Sequence, residues 1–158
     1  MGNFNEVISK SVACLNMSED EGHAVLSALV KKAVEQGALE PVHMDDAIRA
    51  VLKREQSAST AMPDGIALPH GRIDGIGDLV CMIGIHPRGV DFGSPDGQPT
   101  HIFVELLVPA TAGCNHIHFL ANLSRRLLEQ SVRTELLAAA SREHVVQAIL
   151  SHTDEGSF

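Results

Sequence analysis

Hydrophobic spacing divides the chain into a helical start, a strand-rich middle and a helical end. From Ser18 to Gln36 the apolar residues Leu26, Leu29, Val30 and Ala33 recur at helical intervals and predict one buried face. Ser18 and Glu21 have the spacing of a capping box at the start of this helix, and Gly37 stands where a helix commonly stops. The run 11–15 before it predicts a short strand. A second helix is predicted from about Met44 to Arg54. Asp45 and Asp46 suit its first turn, where the helix dipole favours negative charge, and Ala47, Ile48, Val51 and Leu52 supply its inner stripe.

The middle has a different pattern. Leu79 to His86 and His101 to Val108 are apolar runs of strand length, closed by Pro87 and Pro109. Their apolar residues are consecutive, as in central strands covered on both faces. Gly93-Ser94-Pro95-Asp96-Gly97 between them predicts a turn-rich hairpin connection. Helices are then expected from Asn115, as cap, to about Gln130, from Val132 to about Ala140, and from Arg142 to about Ser151. Helices before and after a strand-rich centre predict an α/β fold with a sheet between two helical layers. With 158 residues, no repeat and no linker, the expectation is a single domain over residues 1–158.

Charge and cysteine usage narrow the function. A net charge of −8 argues against a nucleic-acid-binding surface, while leaving room for a local basic patch. No apolar stretch has the length of a membrane span, and the first residues lack a secretory signal. Cys14, Cys81 and Cys114 are widely spaced and odd in number, so they read as reduced thiols of a cytoplasmic protein.

The segment Gly65-Ile66-Ala67-Leu68-Pro69-His70-Gly71 is the strongest chemical signal. Pro69 fixes its own φ and biases Leu68 toward an extended form, while Gly71 is expected to let the chain turn sharply after His70. The chain has no GxGxxG, P-loop, GxSxG or HExxH motif, which disfavours a nucleotide-dependent kinase or a common hydrolase. A neutral imidazole is a good nucleophile near neutral pH and suits reversible phosphoryl transfer. Such transfer depends on positioning and on neutralising the phosphoryl oxygens. Arg54, at a helix end, and His116, at a helix start, are the candidates for that work. Each also has a plain reading, Arg54 as a solvated helix-end cation and His116 as a packed or capping residue. Cys114, His116 and His118 are zinc-type ligands, but their spacing matches no common finger. His23, His43, His86, His101, His144 and His152 read as structural or surface residues.

Several blocks in order give a family resemblance. They are Leu52-Lys53-Arg54-Glu55, Ser59-Thr60, the His70 segment, Gly89-Val90-Asp91-Phe92, Asp96-Gly97, Phe103-Val104-Glu105-Leu106-Leu107-Val108-Pro109, and His116 through Ser124. Over residues 52–128 the chain resembles the type-2 enzyme IIA domain of the bacterial sugar phosphotransferase system, the fructose/mannitol and nitrogen-regulatory class. Its N-terminal helices also suit that family's layout.

The resemblance implies a mixed sheet sandwiched between helices. It implies a phosphotransferase component in which His70 accepts a phosphoryl group from an HPr-like donor. By the same likeness His116 hydrogen-bonds that group and Arg54 lies beside it. His118 is an extra histidine, but sequence order and Phe119-Leu120-Ala121 align His116 with the family's second histidine. No cofactor or metal is implied, because the donor is already a phosphohistidine. A free-standing nitrogen-regulatory carrier acting on regulated target proteins is the first expectation. A sugar-transport enzyme IIA serving an enzyme IIB is the second, and a metal module on Cys114, His116 and His118 the third. Ile66, Leu68 and Ile73 are expected to form an exposed apolar docking ring around His70.

Overall fold

A computed structural model describes residues 2–151; His152 lies outside them. The elements in chain order are α1 (Phe4–Ser9), β1 (Val12–Cys14), α2 (Gly22–Glu35), a 3-10 turn (Pro41–His43), α3 (Met44–Ser57), β2 (Ala61–Met62), β3 (Ile66–Ala67), β4 (His70–Ile73), β5 (Val80–Val90), β6 (Thr100–Pro109), α4 (Asn115–Leu127), α5 (Gln130–Leu137) and α6 (Arg142–Leu150). The sheet runs β1-β5-β6-β3-β2, and β4 also pairs with β6. β1 and β5 are parallel, β5 and β6 antiparallel, and β3 and β4 both run parallel to β6. The sheet is therefore mixed.

The consecutive apolar residues of β6 explain the layering. Ile102, Val104, Leu106 and Val108 enter a core shared with α1, α4, α5 and α6. Phe103 and Leu107 point the other way, into a core shared with α2 and α3. A strand covered on both faces needs apolar residues at both parities, which is what these runs supply.

Local boundaries depart from the expected ones for identifiable reasons. α2 begins at Gly22, and its N-cap Glu21 makes no side-chain cap bond. The Ser18–Glu21 capping box does not form; the Ser18 amide donates instead to the Glu19 carboxylate. A Cβ on Gly22 would collide with the Phe92 ring, so the helix entry is placed by that aromatic contact. β5 does not stop at Pro87 but continues to Val90, with a register irregularity between Ile85 and Val90. A bulge tolerates proline because its amide is not needed in the ladder. The Gly89 amide donates to Nδ1 of His86 there, at 3.0 Å. Cys114, not Asn115, is the N-cap residue of α4, and that helix ends at Leu127, short of the expected Gln130.

The segment around His70 runs as one broken strand beside β6, its first part β3 lying between β6 and β2. β3 pairs with Ile102 and Phe103, and β4 with the stretch from Leu106 to Pro109, farther along the same strand. Leu68 and Pro69 form the break. Pro69 has no amide to give, but its carbonyl accepts from the Leu106 amide at 2.9 Å, so the chain re-enters the sheet at His70.

Candidate functional site

β4 alternates its side chains, as any strand does. Gly71 faces α3 so closely that a Cβ there would lie 2.8 Å from the Val51 amide nitrogen and 2.9 Å from the Ala50 carbonyl carbon. Its φ is not among the positive ones, so Gly71 serves close helix approach and not the sharp turn its sequence context suggests. That approach brings the α3 residues Ala50, Lys53, Arg54 and Ser57 beside His70. Their spacing of three, one and three residues marks one helical face.

Together with His70, Gly71, Arg72 and His116, these four line a cavity of about 510 Å³. The lining carries three permanent cations and no carboxylate, although acidic residues outnumber basic ones in the chain. The structure therefore brings His70, His116 and Arg54 to one place. His70 and His116 have ring centroids 6.1 Å apart at an interplanar angle of 49°. His118 is exposed and does not line the cavity.

The tautomer of His70 follows from its partner. Nδ1 lies 3.0 Å from the Leu68 carbonyl oxygen, which only accepts. Nδ1 therefore carries the proton, and in the neutral ring Nε2 keeps its lone pair. The proline-broken strand presents that carbonyl, so the backbone that places His70 also selects which of its ring nitrogens carries the lone pair.

Arg54 sits in the last turn of α3, and its Nη1 donates to the Ala58 carbonyl at 2.7 Å. Glu55 beside it is buried and accepts from the Thr60 amide at 2.8 Å and the Thr60 hydroxyl at 2.6 Å. These bonds close the end of α3 onto the segment that leads to β2 and so hold Arg54 near the cavity.

Arg72 is the residue that sequence reasoning missed. Its guanidinium donates to the Gly113 carbonyl and stands 3.4 Å from Nδ1 of His116. The signal was available: Arg72 is two residues beyond His70 on a strand, and hence on the same side. His116 is held below its ordinary titration range by partial burial, then by the charges of Arg72 and His70; the Gly113 carbonyl opposes this.

Two expectations fail. Ile66, Leu68 and Ile73 are buried, filling the sheet's two cores instead of ringing the site. Cys114, His116 and His118 do not form a metal site: among the described residues no group of three or more His, Cys, Asp or Glu side chains is placed to hold an ion. Among the same residues no helix is long and apolar enough to cross a membrane.

Residues 6–152 match the family model described as phosphoenolpyruvate-dependent sugar phosphotransferase system, EIIA 2. The chain is 34% identical over 127 residues to a PTS system fructose-specific EIIA component of Haloferax volcanii, covering 80% of each protein. It is 31% identical over 99 residues to a nitrogen regulatory protein of Bradyrhizobium diazoefficiens, covering 63% of this chain and 65% of that one. Among solved structures, nitrogen regulatory protein IIA-Ntr of Neisseria meningitidis superposes with a TM-score of 0.79 at 25% identity, covering 92% of this chain and 97% of that one.

Proposed function

The chain belongs to the phosphotransferase-system EIIA 2 family, and from that premise we propose that His70 is its phosphoryl acceptor. The observation that carries this reading is the 3.0 Å contact between Nδ1 of His70 and the Leu68 carbonyl, which leaves Nε2 as the nucleophile. The donor is a phosphohistidine on an HPr-like protein. Nε2 of His70 forms a bond to phosphorus as the donor's N–P bond breaks, and the donor imidazole leaves with the electron pair. Positive charge grows on the His70 ring as the new bond forms, and the Leu68 carbonyl stabilises it through Nδ1–H. One N–P bond replaces another, so neither nucleotide hydrolysis nor a metal is needed.

The cavity supplies what a dianionic group requires. Arg54 and Lys53 on α3 and Arg72 on β4 provide positive charge, and His116 provides a hydrogen-bond donor across the 6.1 Å ring separation. Electrostatic positioning of this kind is the main lever a protein has on phosphoryl transfer.

Downstream, the nitrogen-regulatory relatives suggest a carrier whose phosphorylation state is read by target proteins in the cytoplasm. The Haloferax relative, which matches more of the chain, favours onward transfer to an enzyme IIB. Labelled protein mixed with a fructose-class enzyme IIB separates the two, since rapid loss of label to that partner supports transport. The acceptor itself is tested by incubation with phosphoenolpyruvate, enzyme I and HPr, following acid-labile phosphate. Wild type labels and His70→Ala does not; label persisting in His70→Ala overturns the assignment.

A further inference from the structure

We propose that Arg72 is a positioning residue that holds His116 as a neutral imidazole protonated on Nε2. The inference rests on His70 being the acceptor for its purpose, but not for its test. It begins with the strand: β4 sets His70 and Arg72 on one side, and Arg72 reaches from there to the entry of α4, across 44 residues of sequence.

At that entry Arg72 meets two groups. One is the Gly113 carbonyl, which it engages as donor; the other is Nδ1 of His116 at 3.4 Å. A guanidinium has only protons to offer and stays charged throughout the physiological range. A ring nitrogen facing it is favoured as a lone pair, which moves the imidazole proton to Nε2. The Gly113 carbonyl pulls the other way, favouring a proton on the His116 ring. Arg72 counters that preference by donating to the same carbonyl.

The surrounding charges act in the same sense. His70 and Arg72 face His116 from β4, and Lys53 and Arg54 approach from α3. Cys114 and His118 flank it on its own segment, and no carboxylate lines the cavity. A positive charge on His116, added to those three cations, is therefore disfavoured, in line with its depressed titration.

A neutral Nε2–H has a specific use. It donates a hydrogen bond to a phosphoryl oxygen without offering a labile proton to the new N–P bond. An imidazolium at the same place would be a general acid next to an acid-labile linkage. Arg72 thus acts through His116, and its own contact with phosphate is not required.

Long-range proton–nitrogen NMR of the unphosphorylated protein reads both the tautomer and the titration of His116. The expected wild-type spectrum shows His116 protonated on Nε2, with a titration midpoint below 6.5. In Arg72→Met the midpoint rises toward 6.5 and the Nδ1–H form gains population; Arg72→Lys, which restores the charge, brings the midpoint back down. Wild-type His116 protonated on Nδ1 overturns the proposal even if no variant folds. An unchanged midpoint and tautomer in Arg72→Met, with amide signals outside α4 preserved, overturns it as well. Neither readout depends on phosphorylation, so failure here is separate from failure of His70 as acceptor.

Discussion

The edge and the centre of the sheet treat polar groups in opposite ways. At the β4 edge, His70, His116 and Arg54 are half-buried, and Arg72 is exposed. His70, Arg54 and Arg72 each have a backbone carbonyl as partner, and Arg72 also faces His116. In the middle of β6, Glu105 is fully buried, and neither of its oxygens has a hydrogen-bond partner. Burial pushes its carboxyl well above the ordinary range, and the nearby Glu55 charge adds to that. Burial and then Glu105 push the Cys81 thiol up to about 12. The centre drives ionisable groups to their neutral, inert forms. The edge keeps ionisable groups within reach of water and partners, because the strand is broken at Leu68-Pro69 and re-enters the sheet with His70 at its first position.

This contrast can be broken from either side. The largest expected effect is in the core: Phe103→Ala removes a fully buried ring and costs about 3–5 kcal/mol by chemical denaturation. Labelling per folded molecule should survive at low temperature, and its loss would mean that the core tunes the site.

Glu105→Gln comes next and depends on pH. A carboxyl whose folded pKa is raised contributes stability below its unfolded value near 4.5 and loses it as pH climbs toward the folded value. Wild type should therefore lose about 1.4 kcal/mol per pH unit in that window, relative to the variant. The two stability curves converge near pH 4.5 and separate above it; parallel curves would show that Glu105 is not held neutral.

Gly71→Val drives side-chain atoms into the α3 backbone and should cost about 1–3 kcal/mol. It should also displace Lys53 and Arg54 and slow labelling beyond what the stability loss explains, whereas unchanged labelling would separate α3 from the site. The smallest perturbation is chemical. A thiol reagent on native protein near pH 8 should modify exposed Cys114 quickly and leave Cys81 untouched until unfolding. Equal rates would contradict the inert centre.

What was legible in the chain follows the same divide. The long apolar runs that became β5 and β6 were readable because burial on both faces writes itself into consecutive residues. The faces of α2 and α3 were readable from their period. α1 and the short strands β2, β3 and β4 were not, since two to six residues hold too little pattern and their pairing comes from distant β6. Ile66, Leu68 and Ile73 looked like a surface ring because adjacency to a candidate acceptor histidine says nothing about which core a strand residue enters. Gly71 looked like a turn residue for a related reason: the α3 backbone that excludes a side chain there is about twenty positions away. His70, His116 and Arg54 were nameable through the ordered family blocks, whereas Arg72 needed the strand alternation and the position of Gly113 together.

The reading stands or falls on the hydrogen bond that Nδ1–H of His70 donates to the Leu68 carbonyl, which leaves Nε2 to receive the phosphoryl group. Phosphorus–nitrogen coupling in the isotope-labelled phosphoprotein tests it directly. One phosphohistidine is expected, at His70, with phosphorus on Nε2; phosphorus on Nδ1 of His70, or on any other residue, would overturn the assignment.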